Sequence, residues 1–224
     1  QRQMCIRDSI SGPDGVPDGV IDDYDKTNIG SPMPKFTFGW TNTFRYKNFD
    51  LSVFINGSYG NKVYNYLSMK LTHMNSPWTN QLNAVNGRAQ LVPINPNKVY
   101  EDGTMWYNDV SNVMVANPGA SIPRATINDP NDNDRISDRY IEDGSYIRLK
   151  NISLGYTFPK KTIDKLGLSN LRIYANIQNL LTITGYDGYD PEIGASTSSV
   201  NVYGLDNGRY PSPTVYSFGL NVSF

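Results

Sequence analysis

Residues 216–224 read Tyr-Ser-Phe-Gly-Leu-Asn-Val-Ser-Phe, so apolar and small or polar residues alternate without exception. Successive side chains of a β-strand point to opposite faces, and this segment as a strand therefore has one apolar face and one polar face. The chain also ends on an aromatic residue, Phe224. Both features fit the wall of a membrane barrel, in which apolar side chains meet lipid, polar ones meet the lumen and aromatic rings lie at the interface.

The same alternation recurs earlier in the chain, in residues 36–46 and 49–59. Lys47 and Asn48 separate these two segments, and Asn tolerates the left-handed backbone that a tight turn needs. Each segment has about 11 residues, which is enough to cross a bilayer when the strand is tilted. The sequence thus predicts a hairpin of two membrane-crossing strands.

A second pair of alternating segments lies near residues 152–158 and 171–183. Ile147 and Leu149 are out of phase with Ile152. A β-bulge, or a passage of the chain above the lipid, would account for this shift.

The connections between the predicted strands are strongly unequal. Two are short, about two and eleven residues, whereas the other two are about 85 and 30 residues long, which is unusual for a compact soluble domain. Outer-membrane barrels combine short periplasmic turns with long extracellular loops. We therefore predict an all-β fold, a partial transmembrane antiparallel β-barrel of about five C-terminal strands with long extracellular loops, and expect it to be an incomplete fragment.

The overall composition excludes several classes of protein. Hydrophobic residues make up 38% of the 224 residues, and no apolar run approaches the roughly 18 residues of a transmembrane helix. The net charge is -1 without a basic stripe, so nucleic acid is not an expected partner. Cys5 is the only cysteine, which excludes a disulfide framework within the chain.

The chain divides into three regions on this basis. Residues 1–9 fit neither a strand nor a loop continuous with the segment from residue 10 onward, and we interpret them as a non-native leader. Residues 10–35 are predicted to form an acidic, Gly- and Asp-rich extracellular loop. Residues 36–224 comprise the strands and their loops. Within the first long loop, apolar residues at helical spacing from Val63 to Met74 predict a short helix.

An acidic segment has part of the spacing of a calcium-binding loop. With Asp14 as the first position, Asp18, Asp22 and Asp25 occupy the fifth, ninth and twelfth, and a glycine occupies the sixth. Val16 at the third position offers no side-chain oxygen, and the twelfth position lacks the longer Glu. The alternative is an acidic turn; no cofactor is otherwise required.

Five aromatic residues of the predicted outer loops are candidates for substrate contact, because aromatic faces stack on sugar rings. They are Trp78, Trp106, Tyr107, Tyr186 and Tyr189. The alternative role is packing within the loops or against a partner protein.

Nothing in the sequence indicates a catalytic centre. His73 is the single histidine and has no Ser or Cys at a nucleophile motif. The paired carboxylates Glu142–Asp143 and Asp190 with Glu192 lie in loop-like surroundings, so we interpret them as structural. We therefore expect no enzymatic activity.

Six stretches together resemble the C-terminal barrel of the SusC/RagA family of TonB-dependent outer-membrane transporters. They are residues 29–39, 46–54, 137–151, 176–180, 188–192 and 216–224. The resemblance implies a barrel of about 22 strands around a plug domain. It also implies import of oligosaccharides or peptides across the Gram-negative outer membrane, with a SusD-like surface lipoprotein as lid. Energy would come from the TonB complex, through an N-terminal part of the parent protein.

Other functions stay open at this point. A soluble, secreted carbohydrate- or calcium-binding β-domain and a secreted glycoside hydrolase would both bury the apolar strand faces in a core. A TonB-dependent receptor for another cargo, such as a siderophore, would keep the same barrel. Five strands cannot close a barrel, so the fragment alone is not expected to transport anything.

Overall fold

The computed structural model describes residues 15–16, 22–127, 129, 132–192 and 203–224. The predicted leader, residues 1–9, lies outside the described residues. Two compact units are present, one within residues 1–29 and 67–140 and the other within residues 30–66 and 141–224. Strands outnumber helices in the described part, which confirms a β fold.

The strands follow one another along the described chain with short helices between them. In chain order they are β1 (Phe36–Tyr46), β2 (Phe49–Tyr59), β3 (Lys62–Asn65), β4 (Leu91–Pro93), β5 (Val113–Val115), β6 (Ile141–Asp143), β7 (Tyr146–Thr157), β8 (Asn170–Thr184), β9 (Leu205–Asp206) and β10 (Val215–Ser223). The α-helices are α1 (Tyr66–Thr72) and α2 (Lys160–Ile163). Single 3-10 turns lie at Asp23–Asp25, Asn83–Gly87, Trp106–Asn108, Val110–Asn112, Asp138–Tyr140 and Asp164–Leu166.

The second unit is dominated by one five-stranded antiparallel sheet with the order β1-β2-β7-β8-β10. These are the five strands that the alternation predicts. The strands contain 9 to 15 residues. Strands β1 and β10 form the two edges, and the sheet does not close on itself within the described residues.

Apolar side chains of neighbouring strands lie directly opposite one another. Trp40 pairs with Ile55, and Phe218 pairs with Ala175. This face of the sheet is largely exposed, and Phe218 is 84% exposed to solvent. The single-strand alternation therefore adds up to one continuous apolar face in the sheet.

A one-residue bulge at Lys150 keeps the apolar face continuous along β7. Phe54 pairs with Asn151 whereas Ile55 pairs with Leu149, so Lys150 is the extra residue. Bulges of this kind shift the side-chain alternation by one position. The bulge confirms one of the two explanations for the phase shift before Ile152.

Glycines on the polar face make room for large side chains from the next strand. The Phe54 ring covers Gly39, and the Tyr174 ring covers Gly219. Phe54, an apolar exception on the polar face, thus fills the space that a missing Cβ leaves open.

The turn between β1 and β2 differs from the expectation in one respect. Lys47, and not Asn48, adopts the positive φ, at 53°. A positive φ at the first of two turn residues matches the right-handed twist of the flanking strands. The geometry of the hairpin therefore overrides the intrinsic preference of Asn.

The predicted loop helix begins three residues later than its apolar pattern. Residues Lys62–Asn65 form β3, which pairs with β6 and β9, and α1 starts at Tyr66. Val63 is 1% exposed in that strand. Pairing with two other strands therefore decides its conformation, which four residues of local pattern could not reveal.

The first unit contains the middle of the first long loop, in the described residues between 67 and 140. Strands β4 and β5 form a two-stranded antiparallel sheet. Met69, Ala89 and Ile122 are buried in this unit. No helix in the described ranges combines the length and the hydropathy needed to cross a membrane.

Candidate functional site

The most densely bonded polar site of the second unit surrounds Arg148 on the polar face of β7. Its guanidinium donates Nε to Thr182 Oγ1 at 2.9 Å and Nη1 to Glu192 Oε2 at 2.6 Å. Nη2 donates to Asp190 Oδ1. Arg148 is only 3% exposed, so its charge is neutralised in place by the two carboxylates.

Lys150 completes this cluster from the same strand. Its Nζ lies 2.6 Å from Glu192 Oε2. Because the bulge falls at Lys150, both cations of β7 stay on the polar face while Ile152 returns to the apolar face. We call Arg148, Lys150, Asp190 and Glu192 the ion cluster.

Asp190 is held from several sides. Burial alone would raise its pKa, but the hydrogen bonds from Arg148 and from the backbone N–H groups of Ser212 and Glu192 outweigh burial, so the pKa lies below its usual value. The ionised carboxylate therefore ties the loop after β8 to β7 and to the segment that enters β10.

A second polar site holds the beginning of the same loop. Tyr186 is 5% exposed and its hydroxyl donates to Asp206, which is 2% exposed. Burial, with the hydrogen bond to Asp206, raises the pKa of Tyr186. Asp206 also accepts the backbone N–H of Gly208 at 2.8 Å.

Glu142 in β6 connects β3 to the loop after β8. It accepts a hydrogen bond from Asn65 Nδ2 at 2.8 Å and another from the backbone N–H of Asp187 at 2.9 Å. Asp143 accepts hydrogen bonds from the backbone N–H and the hydroxyl of Ser145. Every carboxylate that the sequence offers as a catalytic pair in this unit is thus bonded to a cation, an amide, a hydroxyl or a backbone donor. The contacts of Asp190 and Glu192 agree with their interpretation as structural residues.

At the opposite end of the sheet, an ion pair crosses β7 above a glycine. Arg172 donates Nη2 to Asp50 Oδ2 at 2.6 Å and Nε to Asp50 Oδ1 at 3.2 Å. Gly155 lies between them, and a Cβ there would collide with both side chains. The pair connects β2 to β8 across the intervening strand.

The polar face also carries amide oxygens without a partner. Asn56 Oδ1 and Asn176 Oδ1 are shielded from solvent and accept no hydrogen bond within the described ranges. Buried polar atoms are normally bonded, so these positions favour a further polar surface or water against this face. The sequence places both residues, with Arg45, Arg172 and Gln178, on the same polar side.

The predicted substrate-contact residues differ in accessibility. Trp78 is 92% exposed and Tyr189 is 63% exposed, whereas the ring of Tyr186 is buried as described above. Trp106 and Tyr107 pack edge to face, with ring centroids 5.7 Å apart. Substrate contact stays a prediction for all five, and Tyr186 has the least accessible ring.

The loop that carries Trp106 and Tyr107 is fastened by Asp109. Its carboxylate accepts hydrogen bonds from Lys98 Nζ at 2.5 Å, from the hydroxyl of Tyr100 at 2.9 Å and from Ser111. The bonds from Lys98, Ser111 and Tyr100 hold the pKa of Asp109 well below its usual range. The aromatic pair is therefore presented on an ordered loop.

Two of the four aspartates of the predicted calcium segment, Asp22 and Asp25, are among the described residues. Asp14 and Asp18 lie outside the described residues. Asp22 and Asp25 form a capping box, in which Asp22 Oδ1 accepts the N–H of Tyr24 and Asp25 Oδ2 accepts the N–H of Asp22. No group of three or more metal-binding side chains is found among the described residues. Calcium binding stays a prediction.

His73 has a carboxylate partner that the sequence did not reveal. Its Nε2 lies 2.9 Å from Asp129 Oδ2, in a small cleft of the first unit lined also by Thr72 and Tyr140. The Thr72 hydroxyl donates to the Ser68 carbonyl. The His73–Asp129 pair thus connects the residue after α1 to a segment 56 positions further along the chain.

Sequence reasoning missed the role of Arg148. The available signal was the presence of Arg148 and Lys150 within a strand, together with Asp190 and Glu192 two residues apart in a later loop. Opposite charges in a half-buried setting tend to pair. Which residues pair, however, depends on the register of β7 and β8.

Comparison with known proteins gives consistent relatives, although no family model matches the chain. TonB-dependent receptor P3 of Formosa agariphila is 36% identical over 211 residues, which cover 92% of this chain and 18% of that protein. TonB-dependent receptor SusC of Bacteroides thetaiotaomicron is 29% identical over 209 residues, with coverages of 92% and 17%. The chain thus spans about a fifth of the length of these relatives.

Solved structures share the fold. The RagAB peptide importer in its open-open state matches with a TM-score of 0.61 and 21% identity, covering 95% of this chain and 20% of that chain. Its closed-closed state matches with a TM-score of 0.62. The resemblance that the sequence motifs carry is confirmed.

Proposed function

Because this chain belongs to the SusC/RagA family of TonB-dependent receptors, we propose that it forms one section of the β-barrel wall of an outer-membrane importer. The relatives are receptors and not enzymes, which supports a transport role without catalysis of its own. In this section of the wall, the apolar face meets lipid and the polar face lines the interior.

The exposed apolar face of the five-stranded sheet carries this proposal. Phe38, Trp40, Phe218 and Leu220 are exposed on a sheet whose other face bears hydrogen-bonded polar and charged groups. In water such a face would promote aggregation, whereas in a bilayer its burial is favourable. A lipid-facing wall therefore explains both faces at once.

The two sheet edges indicate where the rest of the barrel belongs. Strands β1 and β10 leave one side without a partner in the described sheet. Unpaired backbone groups are not tolerated in lipid, so both edges require further strands of the parent protein. We assign these strands to the remaining four-fifths of the length that the relatives have.

The interior is the expected place of a plug domain. Asn56 and Asn176 each have an unpaired, shielded amide oxygen on the polar face. These atoms are suited to accept hydrogen bonds from a plug or from water held against it. The ion cluster and the Asp50–Arg172 pair stiffen the wall on either side of them.

The family resemblance supports a proposal for the partners and the cargo. The solved relative RagAB is a peptide importer, and SusC is a TonB-dependent receptor. We assign this protein a SusD-like lipoprotein as lid, energy from the TonB complex and a peptide or oligosaccharide as cargo. Exposed Trp78 and Tyr189 are suited to stack on a sugar ring or an aromatic side chain.

Fractionation of cells that express the full-length parent protein tests this function. We expect the protein in the outer-membrane fraction, with a band on an unheated gel that shifts on boiling. Uptake of the cargo should stop when the proton gradient that drives TonB is collapsed. A protein that stays soluble without detergent would contradict the proposal and favour a secreted carbohydrate- or calcium-binding domain.

A further inference from the structure

The end of the sheet at which the short turns lie carries a band of aromatic residues. The turn at Lys47–Asn48, the connection from β7 to β8 and the end of β10 all lie at this end of the sheet. The Phe49 ring of β2 contacts the Tyr156 ring of β7, with centroids 4.7 Å apart. The Phe158 ring, two residues further along the chain, packs against Tyr156 at 5.0 Å. We define the aromatic band as Tyr46, Phe49, Tyr156, Phe158 and Phe224.

Lysines lie immediately beyond this band. They are Lys47, Lys160, Lys161 and Lys165, which we call the lysine tier. The ammonium group of Lys47 is 5.3 Å from the centroid of the Tyr46 ring. All four are exposed, and Asp164 is the only acidic residue of the two turns.

The longer turn holds its three lysines outward on an ordered scaffold. Helix α2 and the following 3-10 turn bury Ile163, which is 2% exposed, and Gly167 ends the turn in a left-handed conformation with φ 71°. Leu166 stays exposed among the lysines. The turn therefore presents an apolar residue within a cationic surface.

The lysines at the two ends of the sheet differ in their ion pairs. At the end opposite the short turns, Lys62 pairs with Asp143 at 3.7 Å and Lys150 pairs with Glu192 at 2.6 Å. No ion pair is found for the lysine tier in the described ranges, whereas Lys26, Lys62, Lys98 and Lys150 each pair with a carboxylate. Charge at the short-turn end is thus left available for an external anion.

We propose that the lysine tier binds the anionic headgroups of the phospholipid leaflet that the short turns face. This rests on the proposed function, because it requires the apolar face to lie in a bilayer. An aromatic band marks the membrane–water interface, and lysines just beyond it lie at headgroup depth. Contact between Lys47 and the Tyr46 ring places the first cation directly at that boundary.

The experiment uses the full-length protein in nanodiscs made of phosphatidylcholine with increasing fractions of phosphatidylglycerol. Native mass spectrometry counts the phosphatidylglycerol molecules retained by the wild type and by a Lys160→Gln/Lys161→Gln/Lys165→Gln variant. We expect about a fivefold loss of affinity for each lysine removed, hence about a hundredfold for three. The matched Lys160→Arg/Lys161→Arg/Lys165→Arg variant should bind as the wild type does.

Added salt gives an independent readout, since the electrostatic screening length falls to about 3 Å at 1 M salt. Retention by the wild type should fall to that of the glutamine variant. Equal retention by the two proteins at low salt, or no preference for phosphatidylglycerol over phosphatidylcholine in the wild type, would overturn the proposal. The boiling-dependent gel shift verifies that each variant is folded. Failure of the wild type to enter nanodiscs would instead count against the membrane function itself.

Discussion

Arg148 and Asp190 form an ion pair on the polar face of the sheet although 42 residues separate them in the chain. Arg148 lies in the family-like stretch of residues 137–151, and Asp190 lies in the stretch 188–192. The contact therefore joins two stretches that carry the family resemblance. Both partners are shielded from water, so the loop after β8 depends on a bond that solvent does not readily replace.

Replacing Arg148 should destabilise the parent protein strongly. An Arg148→Gln variant leaves the carboxylates of Asp190 and Glu192 without their shared cation. Breaking a buried ion pair from one side costs about 3–5 kcal/mol. Urea unfolding of the full-length protein in detergent measures the loss. The exposed Arg209, changed to Gln, is the control and should change stability by less than about 0.5 kcal/mol. Similar values for the two variants would show that the cluster contributes little.

Acid should release the loop after β8 at a lower pH than an ordinary carboxylate would. The pKa of Asp190 is lowered in the folded protein, so its stabilisation is fully present above the unfolded value of about 3.9 and is lost as pH falls through the folded value. Protease resistance of residues 185–192 should thus stay constant from pH 7 to 5 and decline below about pH 4. A decline centred near neutral pH would point to another group.

Gly155 should not tolerate even one added methyl group. Its Cβ would meet the Arg172 guanidinium and the Asp50 carboxylate, so Gly155→Ala forces this ion pair apart. We expect a loss of about 1–3 kcal/mol in the same unfolding assay. Gly185 has open space at its Cβ position, and Gly185→Ala is the matched control. Equal stability of both variants would mean that the ion pair shifts without cost.

Two neighbouring residues of β1 should differ strongly in their tolerance of a lysine. Trp40 lies on the apolar face near the middle of the strand, and Thr41 lies on the polar face. A lysine at the bilayer midplane costs about 2–4 kcal/mol, so Trp40→Lys should reduce membrane assembly far more than Thr41→Lys. The folded fraction is read from the boiling-dependent gel shift. A larger effect at Thr41 would reverse the assignment of the two faces.

Two tyrosines of one loop should differ in their effect on cargo. The Tyr189 ring is exposed, and its loss in Tyr189→Ala removes a stacking surface worth about 0.5–1.5 kcal/mol, or about 2- to 10-fold in affinity. Tyr186→Phe keeps the buried ring and should leave cargo affinity unchanged. Uptake of labelled glycans and peptides by cells that carry each variant measures both. Unchanged uptake for Tyr189→Ala would place the cargo contacts elsewhere.

Local alternation was sufficient to predict the strands of the main sheet. Residues 36–46 and 49–59 match β1 and β2. The alternation of apolar and polar residues extends over the full length of each strand and therefore marks both of its ends. Short elements were harder to predict from the sequence. Apolar spacing predicts a helix from Val63 onward, whereas Lys62–Asn65 is a strand, since its conformation depends on pairing with distant β6 and β9.

The order of residues alone determines which side chains lie on the apolar face of the sheet and which lie on the polar face, since that division needs only the alternation along each strand. It also predicts that β7 changes phase before Ile152. Tertiary structure decides that Lys150 is the bulged residue and that Arg148 meets Asp190 and Glu192. Those choices depend on the register between strands, which is set by the packing of entire strands and cannot be read from one segment.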